Sequence, residues 1–342
     1  MEDIRRNLSE TRSTFATDHT DLTQSTPVIW AIDAFPSDLE MQLKTAAALQ
    51  RVFPSTPIHP VYVLSEDFFM DRGYSPYLRP ALKPMAFKAV LRILSETNLV
   101  HVKKPRILIE PTSSKAACAR RLVRYARKLG AVGIAVGSHA RRGLSRFFNG
   151  SFSEEIMNSS ETPLLIAGPH ADEKGERRDE QSRFLGEGPK TIVFPTDFSP
   201  ACAQAYDQLL TIAMRTGAEI HLFHKQTYAV DPYVQGSMHM LGSGWVSIDA
   251  LTTDIPEDNS REINAWTQAA ADSGVPIRLV NENFREPTSE AIVEYVRSLN
   301  DASVLLAMVS QTGPVASALL GSITRDVIRM STCPIYLVPR AH

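Results

Sequence analysis

The sequence predicts two tandem α/β domains, each built on an open, mostly parallel sheet. Three observations support this class. Apolar runs of strand length alternate with stretches of helical length along the chain, a pattern that is typical of parallel strand–helix–strand units. The same order of elements restarts near residue 190. The two copies also end alike, because a Gly-Ser pair, a short amphipathic stretch and a proline close the first copy and recur 171 residues later (150 to 321, 163 to 334).

Length and composition narrow the class of protein. The chain has 342 residues, which is enough for two domains of ordinary size. Its net charge of -2 gives no reason to expect nucleic acid or an acidic membrane as partner. No run approaches the roughly 20 apolar residues that span a membrane, the start lacks the apolar core of a signal peptide, and the three cysteines form no recognised motif. We therefore expect a cytoplasmic protein.

The first repeat is predicted over residues 27–168, after a polar segment, 1–26, that we expect to form a flexible tail. Its first apolar run ends at Asp33, and Ser37 with Glu40 supplies a capping box for the first helix. Later apolar runs predict three more strands, and the stretches between them predict helices. The predicted strands cover 27–33, 59–64, 106–109 and 132–136, and the helices cover about 37–52, 81–97 and 115–129.

The second repeat is predicted over 190–342, after a charged linker at 169–189 that is rich in Asp, Glu, Lys and Arg. Ser199 and Pro200 predict a helix start, with serine as N-cap and proline at the first helical position. The predicted strands cover 191–194, 219–224, 277–280 and 303–307, later helices cover 260–273 and 288–299, and a long loop covers about 227–258.

The loop after the fourth strand of the first repeat carries a candidate anion site. It contains Gly137, Arg141 and the pair Gly150-Ser151, which opens a short helix. Glycine lets the backbone approach a ligand closely, arginine supplies charge-assisted donors for phosphate, and the unpaired N–H groups at a helix start attract anions. The alternative is a surface loop whose arginines are only solvated. The loop by itself leaves both interpretations open.

Asp33 and Asp197 end the first strands of their repeats. Ligands of open parallel sheets bind beyond the carboxyl ends of the strands, so either carboxylate could meet ribose hydroxyls or a metal–phosphate group. The alternative is that each aspartate only caps the turn before the next helix. His221 and His224 lie three apart on a strand and therefore point to opposite faces, so we predict no metal site there.

On these motifs the chain resembles the universal stress protein family in its tandem two-domain form, over about residues 27–340. The family pattern is Gly, two residues, Gly, nine residues, Gly-Ser/Thr, and many members bind ATP. Gly137, Gly150 and Ser151 match it, and Ala140 stands at the middle glycine. The segment 195–199 is similar to the first-strand signature of the family. The resemblance implies two nucleotide-binding-type, universal stress protein-like domains.

The resemblance implies ATP binding in the first domain, with or without Mg²⁺, and none in the second, degenerate domain. Counting back from Gly321 puts Met308 and Gln311 at the two upstream glycine positions, and a methionine at a strand exit would obstruct a phosphate. In the family the adenine packs near the end of the second strand, here about Val63. The predicted cofactor-binding residues are Asp33, Val63, Gly137, Ala140, Arg141, Gly150, Ser151 and Phe152.

Three functions stay open at this point. The chain is predicted to be a stress-response sensor that binds ATP in its first domain. The first alternative is a nucleotide-free interaction scaffold with both pockets vestigial. In the family the last strands, here at 163–167 and 334–338, form a pairing seam, so the two domains are expected to pair and two chains could associate further. The other alternative is a slow ATPase, but the sequence offers no catalytic base or nucleophile–His–acid triad.

Overall fold

The computed structural model describes residues 26–36, 39–65, 79–112, 114–137, 152–167, 188–225, 257–282, 287–299, 303–310 and 321–339. The chain divides into two compact units. The first contains the chain up to Val136 together with Gly150–Thr162, and the second contains Gly137–Asn149 and the chain from Pro163 onward. The predicted tail, most of the predicted linker and nearly all of the predicted 227–258 loop lie outside the described residues.

The first unit is built on four parallel strands in the order β3-β2-β1-β4. These strands are β1 (Val28–Ala31), β2 (Ile58–Ser65), β3 (Arg106–Glu110) and β4 (Gly133–Gly137). Four helices accompany them: α1 (Leu39–Val52), α2 (Arg79–Ser95), α3 (Lys115–Lys128) and α4 (Phe152–Ser159). The central strand β1 is buried through Val28, Ile29 and Trp30, as expected for a strand with partners on both sides and helices over both faces.

The second unit repeats this arrangement with the strand order β10-β9-β6-β7-β8, and it adds β5 at one edge. Its strands are β5 (Leu164–Ala167), β6 (Thr191–Pro195), β7 (Glu219–Lys225), β8 (Ile277–Glu282), β9 (Val304–Ser310) and β10 (Ile335–Pro339). Its helices are α5 (Pro200–Thr216), α6 (Glu257–Asp272), α7 (Thr288–Ser298) and α8 (Ser322–Met330). Within the described residues of this unit, β5 and β10 pair antiparallel and the other neighbouring strands pair parallel.

The antiparallel pair β5–β10 joins the last strand of each repeat. Leu165 lies opposite Tyr336, and both side chains are almost fully buried. This pairing assigns β5 to the second compact unit although it ends the first repeat of the sequence. The strand contact expected at the end of each repeat is therefore present.

The mostly parallel α/β class is confirmed, and the predicted strands occur within a few residues of their expected ends. Strand β9 shows the largest difference, because it continues to Ser310 instead of ending near 307. The extra residues are held by pairing with β10, in which Met308, Val309 and Ser310 lie opposite Leu337, Val338 and Pro339. The strand thus follows the whole apolar run, which continues through Met308 and Val309, and pairs with β10 along it.

Each repeat carries a histidine–tyrosine pair between its second strand and its third helix, which is part-buried in the first repeat and buried in the second. His59 lies opposite Ile29 in the first repeat, and His221 lies opposite Val193 in the second. A hydrogen bond of 3.3 Å joins the Tyr125 hydroxyl to Nε2 of His59, and one of 2.8 Å joins the Tyr295 hydroxyl to Nδ1 of His221. The pair ties a helix to the sheet at equivalent places in both repeats.

The environment of His59 makes the stability of the first unit depend on pH. Burial, together with the positive charges of Lys103 and Arg106, lowers the pKa of His59 from 6.5 to about 4. The folded chain therefore holds a neutral imidazole, while the unfolded chain binds a proton below about pH 6.5. Stability is retained above this pH and is lost as the pH falls from 6.5 towards 4.

We expect His59→Gln to remove part of this pH dependence. Urea unfolding of the wild-type chain at pH 7.5 and pH 5 should show a loss on the order of 1–2 kcal/mol from His59, because partial exposure screens the full effect. The variant should lose less stability between the same two pH values. Equal losses in both proteins would show that His59 does not titrate in this way.

Candidate functional site

Asp33 and Val63 come together at the carboxyl edge of the first sheet. Ala31 pairs with Val61 on the neighbouring strand, so Asp33 and Val63, each two residues further on, lie at the same level. Adjacent strands are about 4.8 Å apart. Val63 is buried, and the ring of Tyr62 beside it meets Phe35 edge to face at 6.1 Å. An acidic oxygen and an apolar wall thus adjoin each other.

One oxygen of Asp33 has a structural role. Its Oδ1 accepts the backbone N–H of Phe35 at 3.0 Å, and its own N–H donates to the Gln42 side chain at 3.4 Å. The aspartate therefore caps the turn after β1, as the simpler interpretation of the sequence expected. This bond uses only one carboxylate oxygen, so capping and ligand binding are compatible at Asp33.

Gly137 is the last residue of β4, the other neighbour of β1. The boundary between the two compact units falls at this residue. Ala140, Arg141, Gly150 and Ser151, which complete the predicted phosphate loop, lie outside the described residues. Phe152 begins α4 and is half-buried.

Helix α4 starts at the carboxyl edge of the first sheet. Helix α3 follows the carboxyl end of β3, and Ser114 caps its start by accepting the N–H of Ala117. Arg120, near that start, contacts Glu155 in the first turn of α4 at 3.0 Å. Arg127, in the last turn of α3, contacts Glu161 beyond the end of α4 at 3.7 Å. The two helices therefore run in the same direction, and both point their N-terminal ends toward the edge that carries Asp33.

The equivalent aspartate of the second repeat makes more internal contacts. Oδ1 of Asp197 accepts the N–H of Ser199 at 3.0 Å and the thiol of Cys202 at 3.2 Å. Burial alone would raise the pKa of Asp197, but the hydrogen bonds from Ser199 and Cys202 outweigh it and keep the pKa below its usual value. Ser199 is the N-cap residue of α5, but its side chain makes no cap hydrogen bond. Asp197 instead holds the N-cap residue itself, through the N–H of Ser199.

An aromatic cluster, which sequence analysis did not identify, fixes the front loop of the second repeat. Phe198 has a φ of 58°, which is uncommon for a bulky residue. Its N–H donates to the Thr196 hydroxyl at 2.9 Å, and its ring packs on His224 and Trp266 at 5.2 and 5.3 Å. Trp266 stacks on Tyr206 at 4.6 Å. The front signature of this repeat therefore serves packing within the unit.

The expected obstruction by Met308 is wrong in its detail. Gly133 pairs with Val28, and Leu305 pairs with the equivalent Ile192. Counting four residues forward makes Val309, not Met308, the counterpart of Gly137. Met308 lies inside β9 and is buried at 6% exposure, while Val309 is half-buried. Counting back from Gly321 was misleading because the loop of the second repeat is one residue shorter.

The described part of the chain contains no cluster of three or more His, Cys, Asp or Glu side chains that could hold a metal ion. His221 and His224 have different partners, since His221 meets Tyr295 and Nδ1 of His224 lies 2.9 Å from the carbonyl oxygen of Thr196. Within the same described residues, no helix combines the length and apolar character needed to cross a membrane.

Asp197 should contribute more to stability than Asp33. The change Asp197→Ala removes two hydrogen bonds from the start of α5 and should lower the free energy of unfolding by about 1–2 kcal/mol at pH 7. Because its folded pKa lies below 3.8, this contribution is present above pH 3.8 and is lost as the pH falls further. Urea unfolding of the Asp197→Ala and Asp33→Ala variants at pH 7 tests the prediction, which fails if Asp33→Ala costs more.

Comparison with known proteins identifies the family. The universal stress protein family model matches residues 26–168 and again 188–339. A universal stress protein of Methanocaldococcus jannaschii is 26% identical over 151 residues, which cover 44% of this chain and 82% of that protein.

The chain is also similar to solved two-repeat structures, which show the fold alone. A universal stress protein from Archaeoglobus fulgidus has a TM-score of 0.55 at 15% identity and covers 94% of this chain and 99% of its own. A protein from Pseudomonas aeruginosa has a TM-score of 0.50 at 12% identity, and the match covers 94% of this chain and 95% of that protein. With a family match in each half, the chain belongs to the universal stress protein family and carries two of its domains in tandem.

Proposed function

We propose that the chain is a stress-response sensor that binds ATP, with or without Mg²⁺, in its first repeat and not in its second. The observation that carries this proposal is the difference between Gly137 and its counterpart Val309 at the ends of β4 and β9. A glycine at this point lets phosphate approach the backbone, whereas a valine side chain takes that space. The two repeats share a fold and differ where a phosphate would have to lie.

The residues around the first edge fit the chemical groups of ATP. Asp33 keeps one carboxylate oxygen outside its turn hydrogen bond and could accept ribose hydroxyls or hold Mg²⁺. Val63 offers an apolar wall for the adenine. The N-terminus of α4 presents backbone donors and the positive end of its dipole to the phosphates. Arg141, Gly150 and Ser151 would complete the phosphate site, with Ala140 in place of the middle glycine.

Two features of α4 bear on the phosphate affinity. Glu154 and Glu155 stand in its first turn, where negative charge would repel a phosphate. Glu155 is neutralised by Arg120 at 3.0 Å, and Glu154 is buried with 6% exposure. The ion pair with Arg120 offsets the charge of Glu155, while the buried Glu154 still opposes a phosphate, so we expect binding of moderate strength.

Among the residues that the structure describes, Asp33 hydrogen-bonds with Phe35 and Gln42 and has no histidine as a partner. We therefore propose a sensor rather than an enzyme, in which the nucleotide state of the first repeat alters contacts with a partner in the cytoplasm.

A scaffold without nucleotide is the second candidate. The antiparallel pairing of β5 with β10 favours it, because that seam forms entirely between strands and needs no ligand. On this view the tandem chain supplies a paired surface for partners, and a further homodimer would extend it. The scaffold predicts that the protein purifies without nucleotide and gives no heat with ATP.

Exchange of one residue between the repeats tests the sensor. Calorimetric titration of ATP and Mg²⁺ into the wild-type chain should show one site, and Gly137→Val should weaken it at least tenfold by filling the phosphate approach. Valine occupies the equivalent strand position at 309, so the fold should tolerate it. The reverse change, Val309→Gly, is the matched control and should leave binding unchanged. Binding that survives in Gly137→Val would contradict the proposed site.

Asp33→Ala should reduce ATP affinity by about tenfold, which corresponds to the loss of charge-assisted hydrogen bonds of about 1.4 kcal/mol. Asp197→Ala is the matched control, because this aspartate stands at the same position in the second repeat. Fluorescence titration with an ATP analogue measures both variants. If Asp197→Ala weakened binding as much as Asp33→Ala, the second repeat would have to hold the ligand.

A further inference from the structure

A groove lies on the first unit between α3 and the C-terminal end of α4. Its volume is about 360 Å³, at the small end of the range for ligand pockets. One wall consists of Arg120, Arg124 and Arg127, which are spaced so that they share one face of α3. Ser159 and Glu161 form the opposite wall. The groove therefore faces an aligned row of three guanidinium groups.

The middle arginine is the unneutralised one. Arg120 and Arg127 contact Glu155 and Glu161 at 3.0 and 3.7 Å. Arg124 is exposed, and it makes no ion pair within 4 Å among the residues that the structure describes. Helix α3 contains six basic residues and no acidic one. The two outer arginines are thus oriented by carboxylates, while the central one is available to a ligand anion.

A buried carboxylate also lines the groove. Glu110, the last residue of β3, is only 8% exposed. Its one hydrogen bond within the described chain comes from the Thr112 hydroxyl at 3.4 Å, which is long for a contact of this kind. A buried carboxylate normally accepts several hydrogen bonds. Glu110 therefore has acceptor capacity that a hydroxyl group of a ligand can use.

We propose that this groove is a second ligand site, which takes a small phosphate ester that also bears hydroxyl groups, such as a phosphorylated sugar. The phosphate would bind to Arg124 with help from its neighbours, and a hydroxyl would donate to Glu110. This site lies along the flank of α3 and is additional to the proposed ATP site at the carboxyl edge. The ligand needs a phosphate to bind the row of guanidinium groups and a hydroxyl to bind the buried carboxylate.

The same observations disfavour a long polyanion as the occupant. Continuous phosphates would meet Glu110 and Glu161 as well as the arginines, and these carboxylates would repel them. The described helix α3 also presents no exposed aromatic ring for stacking bases, since its Tyr125 is bonded to His59. A compact ligand with one anionic end satisfies the groove better.

Titration with ribose 5-phosphate as the probe tests the proposal, with ribose and inorganic phosphate as partial ligands. We expect the ester to bind the full-length protein, ribose not to bind, and inorganic phosphate to bind more weakly. Arg124→Ala should weaken the ester about tenfold or more through loss of a charge-assisted contact. Glu110→Gln should weaken the ester but leave inorganic phosphate unchanged. Arg121→Ala, an exposed residue of the same helix outside the groove, should change neither.

Three results would overturn the proposal. The first is no heat with ribose 5-phosphate at millimolar concentration. The second is an equal loss in Arg121→Ala and Arg124→Ala, which would show a diffuse basic surface; a short DNA duplex binding with the same pattern would identify a polyanion as the partner. The third is loss of ester binding in Gly137→Val, which would place the ester at the carboxyl edge. Circular dichroism of each variant checks that the fold is retained.

Discussion

The parallel pairing of the first strand of each repeat with two neighbours is the constraint on which the rest of the structure depends. β1 pairs with β2 and β4, and β6 pairs with β7 and β9. A strand in this position has both edges hydrogen-bonded and both faces covered, so its side chains must be apolar. Trp30 and Phe194, at equivalent positions, are accordingly fully buried. Polar groups are excluded from these strands until their carboxyl ends, where Asp33 and Asp197 follow.

The same constraint allows the two repeats to differ at their strand ends while they keep one fold. The central strands and the histidine–tyrosine pairs are shared, because these hold helices to the sheet. Gly137 and its counterpart Val309 lie at the carboxyl ends of β4 and β9, outside the histidine–tyrosine pairs, so a glycine in one repeat can be a valine in the other. In the second repeat, the front loop has instead become part of the core through Phe198 and Trp266. Aromatic packing therefore holds this loop within the unit.

Much of the fold could be predicted because each buried strand is a short apolar run between polar segments. The prediction ended β9 too early at 307, although the apolar run continues to Val309 and pairs with β10. The correspondence of Val309 with Gly137 required the strand register. Counting back from Gly321 misses it, because the loop after β9 is one residue shorter than the loop after β4. The pair of His59 with Tyr125 spans 66 residues and follows no motif. Asp33 and Val63 were both expected at the carboxyl edge of the first sheet, Asp33 from the end of its strand and Val63 from the family resemblance. Parallel strands bring their carboxyl ends to one edge, which makes this expectation possible.

The average charge of the chain conceals its most uneven surface. The net charge is -2, yet residues 103–128 contain nine basic residues and a single acidic one, Glu110. Cys118 and Leu122 are buried on the inner face of α3, which packs on the sheet. The arginines therefore lie together on the outer face of the helix. Ion pairs with α4 then neutralise two of them and leave Arg124 between. A surface of this kind follows from the packing of the helix and cannot be read from the net charge. Composition therefore gives no reason to expect an anionic partner, whereas the groove favours a small anionic ligand.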